Sequence, residues 1–122
     1  MNIVVIEFGG GIELFPSLIQ TVDGLLDGGE RRIVIDLGAL KFINSAALGY
    51  LVKTQQRLTK AGGRLALVRV QAVIRKVLTG AHLISLFGLF DSVEAAVASI
   101  SGPVDHTNPA AAPKITTKTI LR

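Results

Sequence analysis

The 122-residue sequence contains no cysteine and no tryptophan. The absence of cysteine excludes a disulfide framework, a thiolate metal site and a cysteine nucleophile, and it suits a reducing compartment. Long apolar runs are also absent, since the least polar late stretch, 82–90, is about half as long as a membrane-spanning helix. The first eight residues carry Glu7 and lack the basic segment and cleavage site of a secretory signal. These absences predict a cytoplasmic protein without membrane insertion.

Aromatic residues are scarce, at 5% of the chain, and the formal net charge is a modest +4 from 13 basic and 9 acidic residues. A nucleic-acid-binding surface clusters its positive charge on one face and interleaves aromatic residues. Because neither feature is present, no nucleic-acid partner is predicted. The composition, 49% hydrophobic and 18% charged, lies far from that of disordered chains and predicts a packed core.

Apolar segments that read as strands alternate with amphipathic segments that read as helices. Four segments have the strand pattern: 3–8, 32–37, 64–70 and 86–90. Four have the helix pattern: one beginning near Pro16 and ending at Gly28, one capped by Asn44 and ending at Gly62, and two shorter ones over 73–78 and 93–100. This alternation predicts an α/β fold with a mostly parallel sheet of about four strands and about four helices.

The apolar periodicity ends near residue 100, which predicts one domain over residues 1–100. Residues 101–122 are rich in Pro, Ala, Thr and Asn, and they are interpreted as a disordered tail. The alternative is a terminal strand over 115–121 that pairs with an exposed sheet edge, in this chain or in a partner.

No catalytic, metal or cofactor site is predicted. The two histidines, His82 and His106, lie far apart in the sequence, and Asp36 stands nearly alone where metal-dependent chemistry would need several carboxylates. Asp36 is interpreted as a strand-end residue. The glycine run 9–11 does not extend to a dinucleotide-binding fingerprint, because Leu14 stands where a small residue is required. The chain is therefore predicted not to be an enzyme.

Ser45 is the most informative residue, because it follows a strand, a loop and the N-cap Asn44. It should lie in the first turn of the second helix with its hydroxyl exposed. The free N–H groups and partial positive charge of a helix start tolerate an added phosphate. The alternative is a serine that is present only because serine favours a helix start.

The segment 33–67 resembles the central part of STAS domains, the family of sulphate transporters and anti-sigma factor antagonists. The resemblance rests on the order and spacing of four motifs: Asp36-Leu37, Phe42-Ile43, Asn44-Ser45-Ala46-Ala47-Leu48-Gly49 and Gly62-Gly63. Residues 10–13 also resemble the acidic loop near the start of the family's domains. The similarity covers about residues 1–100.

The resemblance implies an anti-sigma factor antagonist that acts by partner switching and is regulated by phosphorylation of Ser45. The implied partners are an anti-sigma factor that is itself a serine kinase and a phosphatase that resets the switch. The implied contact residues lie in the acidic loop and around the phosphoacceptor: Glu13, Asn44, Ala46, Ala47, Leu48 and Gly49. The sequence leaves the oligomeric state open.

Two departures from the family motif favour a second function. Asn44 stands where family members carry an acidic residue, and Ala46-Ala47 stand where they carry Ser or Thr followed by Gly. These changes favour a constitutive STAS scaffold subunit of a transport or stress-signalling complex, which needs no phosphorylation. A small enzyme on the same sheet is a third hypothesis, which no acid, base or metal constellation supports.

Overall fold

The computed structural model describes residues 2–101 and 114–120, in which strands and helices alternate. The strands are β1 Asn2–Phe8, β2 Arg32–Asp36, β3 Arg64–Val68, β4 Gly88–Phe90 and β5 Lys114–Ile120. The helices are α1 Phe15–Asp27, α2 Ser45–Lys60, α3 Ala72–Gly80 and α4 Val93–Ser101, with 3-10 turns at Ile12–Leu14 and Ile84–Leu86. The prediction of an α/β fold with about four helices is confirmed.

The five strands form one parallel sheet in the order β4-β3-β2-β1-β5. The sheet has one strand more than the sequence predicts, and the additional strand is β5. The interpretation of the tail as disordered is wrong for residues 114–120, where the terminal-strand alternative holds. Residues 102–113 and 121–122, to which that interpretation also applied, lie outside the described residues. The apolar pattern missed β5 because an edge strand with exposed side chains needs no apolar periodicity.

The core is divided between the two faces of the sheet. On one face, side chains of β1 to β3 pack against α1, α2 and α3, and this cluster includes Leu18, Leu51 and Ile74. On the other face a smaller cluster of β1, β2 and β3 packs against α4 through Ala96 and Ile100. Strands covered on both faces read as continuous apolar runs, which is why β1, β2 and β3 are recognisable in the sequence.

The polar side of α2 is exposed: Lys53, Gln56, Arg57 and Lys60. Arg57 on this side forms an ion pair with Asp23 of α1, with Nη1 2.6 Å from Oδ1. Within the described residues, no helix has the length and apolar character required to span a membrane.

The turn from α2 to β3 requires its two glycines. Gly62 has a φ of +81°, in the left-handed region that favours glycine. Gly63 lies against the backbone of Arg31, and a side chain at Gly63 would collide with the Arg31 carbonyl oxygen. The same carbonyl accepts a hydrogen bond from the Arg64 N–H at 2.8 Å, which places β3 beside β2.

Candidate functional site

The candidate site lies at the edge of the sheet where the parallel strands end. Strands β1, β2 and β3 all have their carboxyl ends there, and each continues into a loop: residues 9–14, 37–44 and 69–71. Loops at this edge of a parallel sheet carry the binding residues of many α/β proteins. The fold thus brings the predicted Glu13 loop and the start of α2 to one surface.

The start of α2 is held by its N-cap residue. Asn44 has extended backbone geometry, with φ −102° and ψ 173°, and its side-chain Oδ1 accepts a hydrogen bond from the Ala47 N–H at 2.8 Å. The Asn44 carbonyl accepts the Leu48 N–H at 2.9 Å, which begins the helical ladder. The prediction that Asn44 caps α2 is confirmed.

Ser45 is the first residue of α2 and is exposed. Its hydroxyl makes no hydrogen bond to any described residue, and neither do the backbone N–H groups of Ser45 and Ala46. The first turn of α2 contains no acidic side chain that would neutralise the positive end of the helix dipole. The helix start therefore offers free donors and positive potential to an anionic group attached to Ser45.

A shallow groove separates the start of α2 from the start of α1. It has a volume of about 100 Å3 and a largely apolar lining, made of Ile12, Phe15, Pro16, Asn44, Ala46, Ala47 and Tyr50. The Ala47 side chain is buried at the base of α2, with 3% exposure. Ala46 is exposed, so the two alanines of the motif have different environments.

Glu13 lies on the other side of Ile12, in an adjoining groove of about 300 Å3. The lining residues come from the β1–α1 and β2–α2 loops: Gly9, Gly11, Ile12, Glu13, Ala39, Lys41 and Phe42. The Glu13 carboxylate folds over Gly11, where an added Cβ would stand 2.6 Å from Oε2. Glu13 and Lys41 thus place opposite charges in one groove.

Two exposed aromatic side chains line the two grooves, Phe42 beside Glu13 and Tyr50 beside Asn44, and the sequence did not assign them to the site. Phe42 is 51% exposed in the loop before α2, and Tyr50 is 48% exposed on the second turn. Their positions in the sequence could have indicated that both side chains are exposed. Tyr50 lies off the buried stripe of α2, and Phe42 belongs to no predicted strand or helix. An exposed aromatic pair at a loop edge is typical of a protein-binding surface.

The remaining predicted contact residues differ in accessibility. Gly49 is exposed, and a side chain added there would meet open space. Leu48 is half-buried and packs against the main core cluster. The site therefore presents Glu13, Asn44, Ala46 and Gly49 at the surface, whereas Ala47 and Leu48 chiefly position them.

An ion pair between the buried Asp36 carboxylate and the exposed Arg69 guanidinium fixes the loop that leads to Ser45. Asp36, 6% exposed at the end of β2, accepts two hydrogen bonds at Oδ2 from Arg69, from Nη2 at 2.7 Å and from Nε at 3.1 Å. The hydrogen bond and the charge of Asp36 raise the pKa of Arg69. Asp36 Oδ1 also accepts the Gly38 N–H at 2.9 Å. Asp36 is a strand-end residue, as predicted, but its partner Arg69 was missed.

The same contacts join the β2–α2 loop to the β3–α3 loop. Gln71 donates a hydrogen bond from Nε2 to the Gly38 carbonyl at 2.7 Å. The Arg69 guanidinium covers Gly38, where a Cβ would stand 3.0 Å from Cζ. Among the described residues no group of three or more His, Asp or Glu side chains is arranged to hold a metal ion. The side chains of Asp36, Arg69 and Gln71 thus connect the two loops of the site.

Comparisons with known proteins give a consistent result. The family model for the STAS domain matches residues 4–96. A Bordetella bronchiseptica protein assigned as the anti-sigma factor antagonist BtrV is 36% identical over 74 residues, which are 61% of this chain and 64% of that relative. The chain thus matches a little under two thirds of that relative's length.

Solved structures extend the comparison to the fold. A Thermotoga maritima protein assigned as an anti-sigma factor antagonist has a TM-score of 0.71 at 26% identity, covering 80% of this chain and 86% of that one. The unphosphorylated anti-sigma factor antagonist SpoIIAA has a TM-score of 0.70 at 20% identity, covering 85% and 92%. The phosphorylated form of SpoIIAA, from Bacillus, has a TM-score of 0.61 at 20% identity, covering 76% and 86%. The SpoIIAA likeness concerns the fold alone.

Proposed function

The chain belongs to the STAS domain family, and on that premise we propose that it is a non-catalytic anti-sigma factor antagonist that acts by partner switching. In this proposal the unphosphorylated protein binds an anti-sigma factor that is a serine kinase, and phosphorylation of Ser45 releases it. A phosphatase restores the binding form. The proposed setting is the cytoplasm, without a nucleic-acid partner.

One observation carries the proposal: the exposed Ser45 hydroxyl at a helix start with two free N–H groups and no acidic neighbour in the first turn. A phosphate on Ser45 adds about −1.5 to −2 charges and three acceptor oxygens. The helix start has free donors for those oxygens, so the isolated domain accommodates the charge. Phosphorylation therefore changes the surface of the domain without unfolding it.

In a complex the same phosphate has a different effect. A partner surface that fits a neutral hydroxyl desolvates the phosphate without compensating its charge, at a cost of about 2–5 kcal/mol. Since about 1.4 kcal/mol corresponds to a tenfold change in affinity, phosphorylation weakens binding roughly thirtyfold to a few thousandfold. An effect of that size is sufficient for a switch.

The proposed partner surface consists of the accessible side chains around Ser45. Glu13 offers a negative charge, and Asn44, Ala46 and Gly49 are exposed in the first turns of α2 and at its cap. Phe42 and Tyr50, each about half exposed, add apolar area in the two adjoining grooves. The ion pair of Asp36 and Arg69 limits the rearrangement of the β2–α2 loop needed on binding.

The test is calorimetric binding of the wild type, Ser45→Ala and Ser45→Asp to the anti-sigma factor, together with mass spectrometry after incubation with that partner and ATP. We expect Ser45→Ala to bind like the wild type and to resist phosphorylation. Ser45→Asp carries less charge than a phosphate, so it should weaken binding by about thirtyfold or less. Ser85→Asp is the matched control, because Ser85 is an exposed serine that precedes β4. It lies at the amino ends of the strands, whereas the Ser45 site lies at their carboxyl ends.

The second candidate is the constitutive scaffold subunit, which two features favour. Asn44 caps α2 without the negative charge found at this point in family members, and the methyl group of Ala47 is buried where they carry glycine. If Ser45→Asp binds as tightly as the wild type and no phosphate appears on Ser45, the switch is refuted and the scaffold function replaces it.

A further inference from the structure

The outer edge of the sheet at β5 has no partner among the described residues. β5 is the last strand in the sheet order, and β1 alone pairs with it there. Six of its seven residues are exposed, and Ile120 is half-buried. A strand in this position presents a row of N–H and C=O groups to which another strand can bind.

The register with β1 shows which backbone groups face outward. The Ile120 carbonyl accepts the Gly9 N–H at 2.7 Å, so Ile120 directs its backbone groups toward β1. Backbone direction alternates along a strand, and the outward groups therefore belong to Ile115, Thr117 and Thr119. The side chains of these three residues lie on the α4 face of the sheet, next to Ile3, Val5 and Glu7.

The three outward residues are arranged symmetrically about Thr117. A two-fold axis at Thr117 would place a second β5 antiparallel to the first, with Thr117 opposite its own copy and Ile115 opposite Thr119. In an antiparallel pair, every second residue exchanges both backbone hydrogen bonds with the residue opposite it. Each outward N–H would therefore face an outward C=O of the other copy. The edge of β5 is thus self-complementary in its hydrogen bonding.

We propose that β5 binds the β5 strand of a second copy of this chain, so that the two sheets continue into one. In this register Lys118 faces Thr116 of the other copy and Lys114 faces Ile120, so no like charges stand directly opposite. Ile115, 49% exposed in the single chain, gains an apolar contact with the methyl group of Thr119. The pairing is isologous, as expected for a two-fold dimer.

Charge and area indicate a weak dimer. The two copies of Lys118 become diagonal neighbours about 7–8 Å apart, and their repulsion opposes association. Salt screens such exposed charges, so dimerisation should become stronger as the salt concentration rises. One pair of seven-residue strands also buries less than the roughly 1,200 Å2 of a stable interface. Dimerisation should therefore depend on protein concentration.

This inference does not rest on the proposed function, since β5 is not part of the Ser45 site.

Single cysteines test the register directly, because the chain has no cysteine of its own. In the proposed dimer Thr117→Cys faces itself at a Cα separation of about 5.5 Å, within the range of a disulfide. Thr119→Cys is the matched control, since its own copy lies about 14 Å away along the strand. We expect oxidation to give disulfide-linked dimers with Thr117→Cys and not with Thr119→Cys. A mixture of Ile115→Cys and Thr119→Cys should cross-link to each other.

Sedimentation equilibrium supplies a second measurement. We expect the wild type to pass from monomer to dimer as its concentration rises. Thr117→Lys and Thr117→Asp each place like charges directly opposite, which should weaken the dimer by about twofold to fivefold, and mixing the two variants should restore association. A wild type that stays monomeric at all concentrations and at high salt overturns the proposal. Equal self-cross-linking of Thr117→Cys and Thr119→Cys also overturns it.

Discussion

Strands β2 and β5 belong to the same parallel sheet, yet different interactions hold them in place. β2 lies between β1 and β3, and residues 33–36 are buried beneath helices on both faces. Within residues 2–101 and 114–120, β5 pairs with β1 alone, and only Ile120 of its side chains packs against the core. Apolar burial therefore holds the central strand, whereas backbone hydrogen bonds hold the edge strand. Because patterns in a sequence record side-chain burial, they reveal the first kind of strand and miss the second.

Replacing isoleucine with alanine in each strand tests this comparison most strongly. Ile35 in β2 is 1% exposed, so Ile35→Ala should lower the free energy of unfolding by about 2–5 kcal/mol. Ile115 in β5 is 49% exposed, so Ile115→Ala should cost about 1 kcal/mol or less. The measurement is urea unfolding at low protein concentration, where association through β5 is negligible. Equal losses at the two positions would contradict the distinction between the strands.

Deleting residues 102–122 should have the next largest effect. The truncated chain should retain a cooperative melt, because both core clusters lie within the first 101 residues. It loses the hydrogen bonds of β5, but folding no longer carries the entropic cost of ordering that strand. The net loss in free energy of unfolding should therefore be about 2 kcal/mol. Removing β5 also uncovers the apolar edge of β1, which should promote aggregation. Loss of the cooperative transition in thermal unfolding would show that β5 is part of the core.

The sequence predicted the elements that bury apolar side chains. The runs of β1, β2 and β3, the spacing of Leu51 and Leu58 in α2, and the glycines that end that helix all correspond to the structure. For β5 the sequence supports only an alternative interpretation, because its Lys and Thr residues bury little apolar area. Its position is determined by the free edge of β1, which no local pattern records.

The candidate site was predictable to the extent that its geometry is local. The cap formed by Asn44 depends on residues three and four positions away, and the sequence alone indicates it. The ion pair of Asp36 and Arg69 joins residues 33 positions apart. The exposure of Phe42 likewise depends on how three loops pack together. Neither of these could be deduced before the strand order was known.

The N-cap of α2 provides a smaller test, since there the exposed Asn44 side chain accepts a hydrogen bond from a backbone N–H. Asn44→Ala removes the acceptor of the Ala47 N–H and should lower the free energy of unfolding by about 1 kcal/mol. Asn44→Asp keeps the acceptor and adds a charge that favours the helix start, so it should be neutral or stabilising. Chemical denaturation of the two variants distinguishes them, and an Asn44→Ala variant as stable as the wild type would show that the cap contributes nothing.

The smallest expected effect concerns the end of α3, where His82 has a left-handed backbone conformation that favours glycine. His82 is exposed with a φ of +59°, and the backbone around it closes the helix through the Leu83 N–H to Leu78 carbonyl bond at 2.8 Å. Glycine adopts this left-handed geometry without strain, so His82→Gly should raise the free energy of unfolding by about 0.5–1 kcal/mol. A matched control is Arg69, the other described residue besides glycine with a positive φ, at +56°.

Arg69→Gly relieves the same backbone strain but leaves the Asp36 carboxylate buried without its ion pair. Because a buried charge without a partner is costly, this variant should be less stable than the wild type. Thermal unfolding of the two glycine variants should therefore give shifts of opposite sign. If both variants melt at a higher temperature than the wild type, the Asp36–Arg69 pair does not stabilise the loops of the site. The left-handed conformation of Arg69 would then not be maintained by that ion pair.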